Sequence, residues 1–156
     1  MVKTYADVRE LLTTKKFPEL TGRGVSNEMI DEAEHLLGVR LPLSYRGFLL
    51  EYGWGYFGSL ELIIGLGSDI PKEWEAGANI VKVTSDERNN SVSWPIYIIP
   101  ICQNGAGDWY ALDCSFINEN ESPVVFVGHE RNATDGFNYD LYSKNFAEWI
   151  YLKLSD

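Results

Sequence analysis

VSNEMIDEAEHLLGVRLPLSYRGFLLEYGWG, residues 25–55, decides the fold class. Its first half places Ile30, Ala33, Leu36 and Leu37 on one helical face. Ser26 stands before that face as an N-cap, with Glu28 and Asp31 near the positive end of the helix dipole. Gly38 supplies the left-handed exit. In the second half Tyr45, Phe48, Leu49 and Tyr52 recur at i, i+3, i+4 and i+7, and Gly53 closes the run. Two amphipathic helices in succession, each ended by a glycine, are the expectation.

Towards the start of the chain, Tyr5, Val8 and Leu11/Leu12 predict another helix, stopped by Pro18. Beyond Gly53 the pattern becomes extended. Residues 59–66 (SLELIIGL) read as a strand, preceded by the glycine-punctuated stretch 53–58. Residues 96–102, 109–114 and 123–127 read as further strands, separated by turn clusters at 104–107 and 118–122. Residues 79–89 are ambiguous: Ile80, Val81 and Val83 suit a strand, but the length and the Asp86-Glu87-Arg88 ending favour a helix, which is the reading adopted. Phe146, Trp149 and Ile150 predict a final helix with Ser143 as its N-cap. No repeat or linker divides the 156 residues, so residues 1–156 read as one domain. Helices grouped ahead of strands imply an α+β fold: N-terminal helices, then an antiparallel β-sheet, with a C-terminal helix packed on it.

Thirteen Lys and Arg against 23 Asp and Glu give a net charge of −10. A chain this acidic repels phosphate backbones, which argues against direct nucleic-acid binding. Residues 1–50 are balanced, with 7 basic and 7 acidic side chains, whereas residues 51–156 hold 6 basic and 16 acidic ones. That excess is either a solvated face that maintains solubility or a surface that attracts a basic partner. The longest uncharged run, residues 89–107, is interrupted by Pro95 and Pro100 and is apolar only over 96–102. A membrane-spanning helix needs about 20 mostly apolar residues, so no membrane association is expected. The opening MVKTYADVRE lacks the apolar segment of an export signal, and the only cysteines are Cys102 and Cys114. The expectation is a cytoplasmic protein with two free thiols.

The chemistry-bearing residues do not assemble into a catalytic motif. Asn104-Gly105-Ala106-Gly107-Asp108 is glycine-rich, but it has no lysine and ends in a carboxylate, so it predicts a hairpin turn rather than a phosphate cradle. Cys102 and Cys114 lie in apolar strand patterns, where cysteine behaves as a small hydrophobe, and only His129 could serve either thiol as a base. His35 lies among Glu32 and Glu34 at a helix edge. No His/Cys spacing matches a zinc site and no calcium loop is present, so neither metal nor cofactor is expected. Carboxylate pairs spaced for glycoside hydrolysis are a spatial property that sequence does not decide. The expectation is a protein that is not an enzyme. Of the five tryptophans, Trp54, set between two glycines ahead of Tyr56, suits either the core or a protein-binding face.

The quoted stretch also resembles the opening signature of the SUKH superfamily, the bacterial immunity proteins related to a fungal cell-wall synthesis regulator. The positions that carry the resemblance are Val25-Ser26, Glu34, Leu37-Gly38, Leu41-Pro42, Tyr45, Phe48-Leu49 and Tyr52-Gly53. IIPICQNGAGDWYALD (98–113) is similar to the family's strand, glycine turn and strand. SPVVFVGHE (122–130) is similar to the next strand, and SKNFAEWIYLKL (143–154) to the closing helix. The likeness covers residues 24–152. The family often has an acidic residue where Ser44 stands here, and an Asn-Gly-Gly-like turn in place of Gly53-Trp54-Gly55.

The resemblance implies a non-catalytic α+β domain that neutralises a cognate toxin, often a nuclease, by binding it. The alternative is a protein-interaction module in a regulatory or cell-wall-related complex. A nuclease is basic around its groove, so an acidic inhibitor complements it. Expected partner-binding residues are therefore acids in turn-like stretches beside aromatics: Asp69, Glu73 and Glu75 around Trp74, Asp108 beside Trp109, and Asp135 and Asp140 around Tyr139. Trp54 and Tyr56 are the expected apolar anchors.

Overall fold

The structure, a computed structural model, describes residues 2–15, 19–90, 93–115, 120–129 and 137–155. In chain order its elements begin with α1 (Tyr5–Thr14), β1 (Glu19–Thr21), α2 (Asn27–Leu37), α3 (Leu43–Glu51) and β2 (Gly55–Phe57). A 3-10 turn (Lys72–Trp74) leads into α4 (Glu75–Ala78) and α5 (Ile80–Asn90). Then come β3 (Ile98–Gln103), β4 (Trp109–Asp113), β5 (Val124–Val127), β6 (Asp140–Ser143) and α6 (Phe146–Leu154). This is the α+β arrangement expected: helices first, an antiparallel sheet in the order β3-β4-β5-β6, and a C-terminal helix packed against it.

The helix punctuation follows the sequence. Ser26 Oγ accepts the Met29 N–H at 3.2 Å, and Gly38 leaves α2 with φ 76°. The segment read as either helix or strand is α5. Pro18, the expected stop of the first helix, lies outside the described residues.

The side-chain alternation of a sheet divides the strands between two apolar layers. Ile99, Ile101, Leu112 and Val124 face the main core, where they meet Tyr45, Phe48, Phe146 and Trp149 from α3 and α6. Ile98, Ala111, Val125 and Val127 face the other way, under Trp94, Tyr97, Phe137 and Tyr139. The predicted turn at 104–107 closes the β3–β4 hairpin. There Asn104 Oδ1 accepts the N–H groups of Ala106 and Asp108, each at 2.9 Å.

Two readings of the sequence are corrected. Residues 59–66 do not form a strand, although Ile63, Ile64 and Leu66 are buried as a strand's would be. Their backbone groups go to separate partners: Ile63 exchanges hydrogen bonds with Gly55, Ile64 N–H donates to Ile101, Gly65 to Ala78 and Leu66 to Gly53. A ladder needs consecutive bonds to one neighbour, so this strap is extended without being a strand. It passes so close that a Cβ at Gly65 would lie 1.7 Å from the Gly53 carbonyl oxygen. The second correction concerns α6, whose N-cap is Asn145 rather than Ser143. Asn145 Oδ1 accepts the Glu148 N–H at 2.7 Å and Glu148 Oε2 in turn accepts the Lys144 N–H at 2.8 Å, while Ser143 ends β6.

Candidate functional site

β2 alternates buried, exposed, buried, so Phe57 points into the core and Tyr56 points out with 37% of its surface exposed. Trp54, one residue before the strand, is 3% exposed. Its indole N–H donates to Asp69 Oδ1 at 2.8 Å, and Asp69 Oδ2 accepts the backbone N–H of Arg23 at 2.9 Å. Of the two roles open to Trp54 in the sequence, core residue or apolar anchor of a binding face, its burial in the free chain favours the first. A tryptophan bonded inward to a carboxylate is a core residue, packed with Ile70, Ala78 and Trp74. Asp69 joins the Trp54 side chain to the backbone at Arg23.

Trp74 stands edge-on to both Trp54 and Tyr56, with ring centroids 6.0 and 6.3 Å away. The structure therefore gathers five of the expected residues around Trp74, namely Trp54, Tyr56, Asp69, Glu73 and Glu75. Glu73 is exposed, whereas Glu75 pairs with Lys82 Nζ at 2.5 Å. Asp108 lies apart in the hairpin turn. Its Oδ1 accepts the His129 N–H at 3.0 Å and meets His129 Nδ1 at 2.8 Å. The His129 backbone bond, then its side chain, holds the Asp108 carboxyl below the usual range. Asp140 is exposed and begins β6, at the opposite sheet edge from β3, so it belongs to a strand rather than a turn. Asp135 lies outside the described residues.

Tyr56 also forms one wall of an open cleft of about 430 Å³, bounded by the strap, α4, α5 and the β3–β4 hairpin. Trp109, at the start of β4, is another wall, and Ile64 and Val83 contribute apolar surface. Three carboxylates line the cleft: Glu61 from the strap, and Asp86 and Glu87 from α5. No lysine or arginine lines it, and none pairs with these three acids among the described residues. Burial pushes the Glu87 carboxyl up, Asp86 adds to the rise, and a hydrogen bond from Trp109 partly offsets it. Sequence reasoning missed this cleft. Its signal was the spacing of Val83, Asp86, Glu87 and Asn90, which a helical α5 places on one face.

The thiols fit the hydrophobe reading. Cys102 is buried and Cys114 half-buried, and desolvation pushes both up to about 12. Among the described residues no group of three His, Cys, Asp or Glu side chains is arranged to hold a metal ion, and no helix is long and apolar enough to cross a membrane.

The model of the SMI1 / KNR4 family (SUKH-1) matches residues 24–151. The chain belongs to that family. No curated protein matches it. SUKH members are generally non-catalytic immunity or interaction proteins. In this SUKH-1 domain the signature residues build the frame rather than the cleft. Glu34 accepts the Leu41 N–H at 2.7 Å and pairs with Arg46 at 2.9 Å, joining α2 to α3. Tyr45 OH donates to the Ile64 carbonyl at 2.6 Å, fixing the strap. Where the family often has an acid, Ser44 Oγ and N–H donate to Glu121 Oε1 at 2.9 and 3.3 Å. A distant carboxylate thus supplies negative charge at the α3 N-terminus.

Proposed function

We propose that the chain is a bacterial, cytoplasmic immunity protein that neutralises a cognate toxin domain, basic and nuclease-like, by stoichiometric binding. The observation that carries this reading is the cleft between Tyr56 and Trp109, lined by three carboxylates that have no countercharge among the described residues. Family membership supports a protein-binding role, and the acidic excess of residues 51–156 supplies long-range attraction for a basic surface. Tyr56, Glu73 and the cleft residues form the contact face; Asp69 and Trp54 hold its shape from behind. Asp108 and Asp140 contribute to the surrounding negative field.

The test is co-expression with basic, nuclease-like toxin domains drawn from the gene's own neighbourhood. Growth rescue together with one-to-one co-purification is the expected result. Failure of both, with the chain folded and abundant, refutes neutralisation. The alternative of a regulatory module is favoured if the chain instead co-purifies with a cell-wall or signalling complex.

A further inference from the structure

The cleft's two aromatic walls come from elements far apart in sequence, Tyr56 from β2 and Trp109 from β4. Its acids come from two others, Glu61 from the strap and the adjacent pair Asp86 and Glu87 from α5. These carboxylates do not converge into a metal-ligand set. They are distributed along a groove with aromatic and apolar walls, which suits an extended, planar cation better than a point charge. An arginine side chain has that form. Its guanidinium stacks on aromatic faces, forks towards two carboxylates and sheds water more readily than an ammonium does. Its methylenes match the apolar surface of Ile64 and Val83. A half-buried carboxylate such as Glu87, bonded to Trp109 but without an ion-pair partner among the described residues, gains most from an incoming cation, because its desolvation is already in place.

We infer that the cleft between Tyr56 and Trp109 is a socket for one arginine side chain of the partner protein, with Glu61, Asp86 and Glu87 as its countercharges. The inference deepens the neutralisation reading and rests on it for the partner being a basic protein. Charge complementarity selects this occupant: among the described residues every charged side chain lining the cleft is an acid, and the chain's whole negative excess lies in residues 51–156, which supply that lining.

The probe is the peptide acetyl-Gly-Arg-Gly-amide, titrated into the isotope-labelled full chain at low salt. Its lysine and citrulline counterparts are the controls, citrulline being the uncharged isostere of arginine. Saturable shifts at the Trp109 indole, Tyr56 and Glu87 are expected with arginine, several-fold weaker binding with lysine, and none with citrulline. Asp86→Asn/Glu87→Gln should weaken arginine binding at least ten-fold, and Tyr56→Ala should weaken it separately. The socket is overturned if citrulline shifts the same resonances, if the shifts map elsewhere, or if folded Asp86→Asn/Glu87→Gln binds arginine as tightly as wild type. In the toxin assay, a double variant with wild-type affinity overturns the socket and leaves neutralisation standing. Loss of toxin binding by wild type, with the peptide shifts intact, does the reverse.

Discussion

Replacing Tyr45 by Phe tests how the frame supports the cleft. Tyr45 is fully buried, and its ring stacks on Phe48 at 6.2 Å and meets Phe146 edge-on at 5.2 Å. Phenylalanine keeps those contacts and removes one atom, the hydroxyl that donates to the Ile64 carbonyl at 2.6 Å. Stranding a buried acceptor costs about 1–3 kcal/mol, and a domain of this size loses roughly 2–4 °C per kcal/mol. The melting temperature should therefore fall by about 4–8 °C for a central cost near 2 kcal/mol. In urea the midpoint should drop with an unchanged slope, because the surface exposed on unfolding is the same. Hydrogen exchange at the Ile64 amide should accelerate as well, since that N–H, bonded to Ile101 at 2.8 Å, belongs to the same strap residue. A folded variant whose melting temperature falls by less than about 1 °C, with Ile64 exchange unchanged, refutes the assignment of the hydroxyl as the strap's anchor.

Trp54→Phe should cost about 1–2 kcal/mol, because Asp69 loses its indole donor, and chemical denaturation reads it directly. Toxin affinity should change less than with Tyr56→Ala; the reverse order would restore Trp54 as a contact residue. Glu87 has a raised folded pKa, so the native state holds its proton to higher pH and stability declines as pH rises from the ordinary glutamate range to the raised value. Glu87→Gln should flatten that part of the stability profile and stabilise the chain at neutral pH, and an unchanged profile refutes the account. Cys102, fully buried and pushed up to about 12, should react with a thiol reagent at pH 8 only at the rate of unfolding, and the half-buried Cys114 should react faster than that. Rapid labelling of Cys102 in the native chain would contradict its burial.

What the sequence disclosed was punctuation and period. Ser26, Gly38 and Gly53 bound two helices through local backbone needs, and Asn104 to Gly107 specify a turn within four residues. The strap was misread because an apolar run reports burial and not which backbone accepts its hydrogen bonds. Ser143 was mistaken for a cap because Asn145, two residues on, competes for the same role and has Glu148 three residues ahead to complete the exchange. Trp54 and Tyr56 were grouped by composition, whereas a three-residue strand separates them into inward and outward roles. The cleft was hidden for a different reason. Glu61, Glu87 and Trp109 meet only through tertiary packing, so no window of sequence contains the site.

The strap's scattered bonding also bears on the order of assembly. Gly53 and Gly55 precede it in the chain, whereas Ala78 and Ile101 follow it, and it bonds to all four. Ile101 lies in β3, so the strap cannot complete its bonds until the chain has been made well past it and the sheet has begun to form. Loop closure over such separations comes late in folding, and substitutions in residues 59–66 should speed unfolding while leaving the folding rate nearly untouched. The cleft inherits that timing. A nascent chain would carry a formed α2–α3 pair before it carried a working socket, and binding competence would arrive with the last segment to lock.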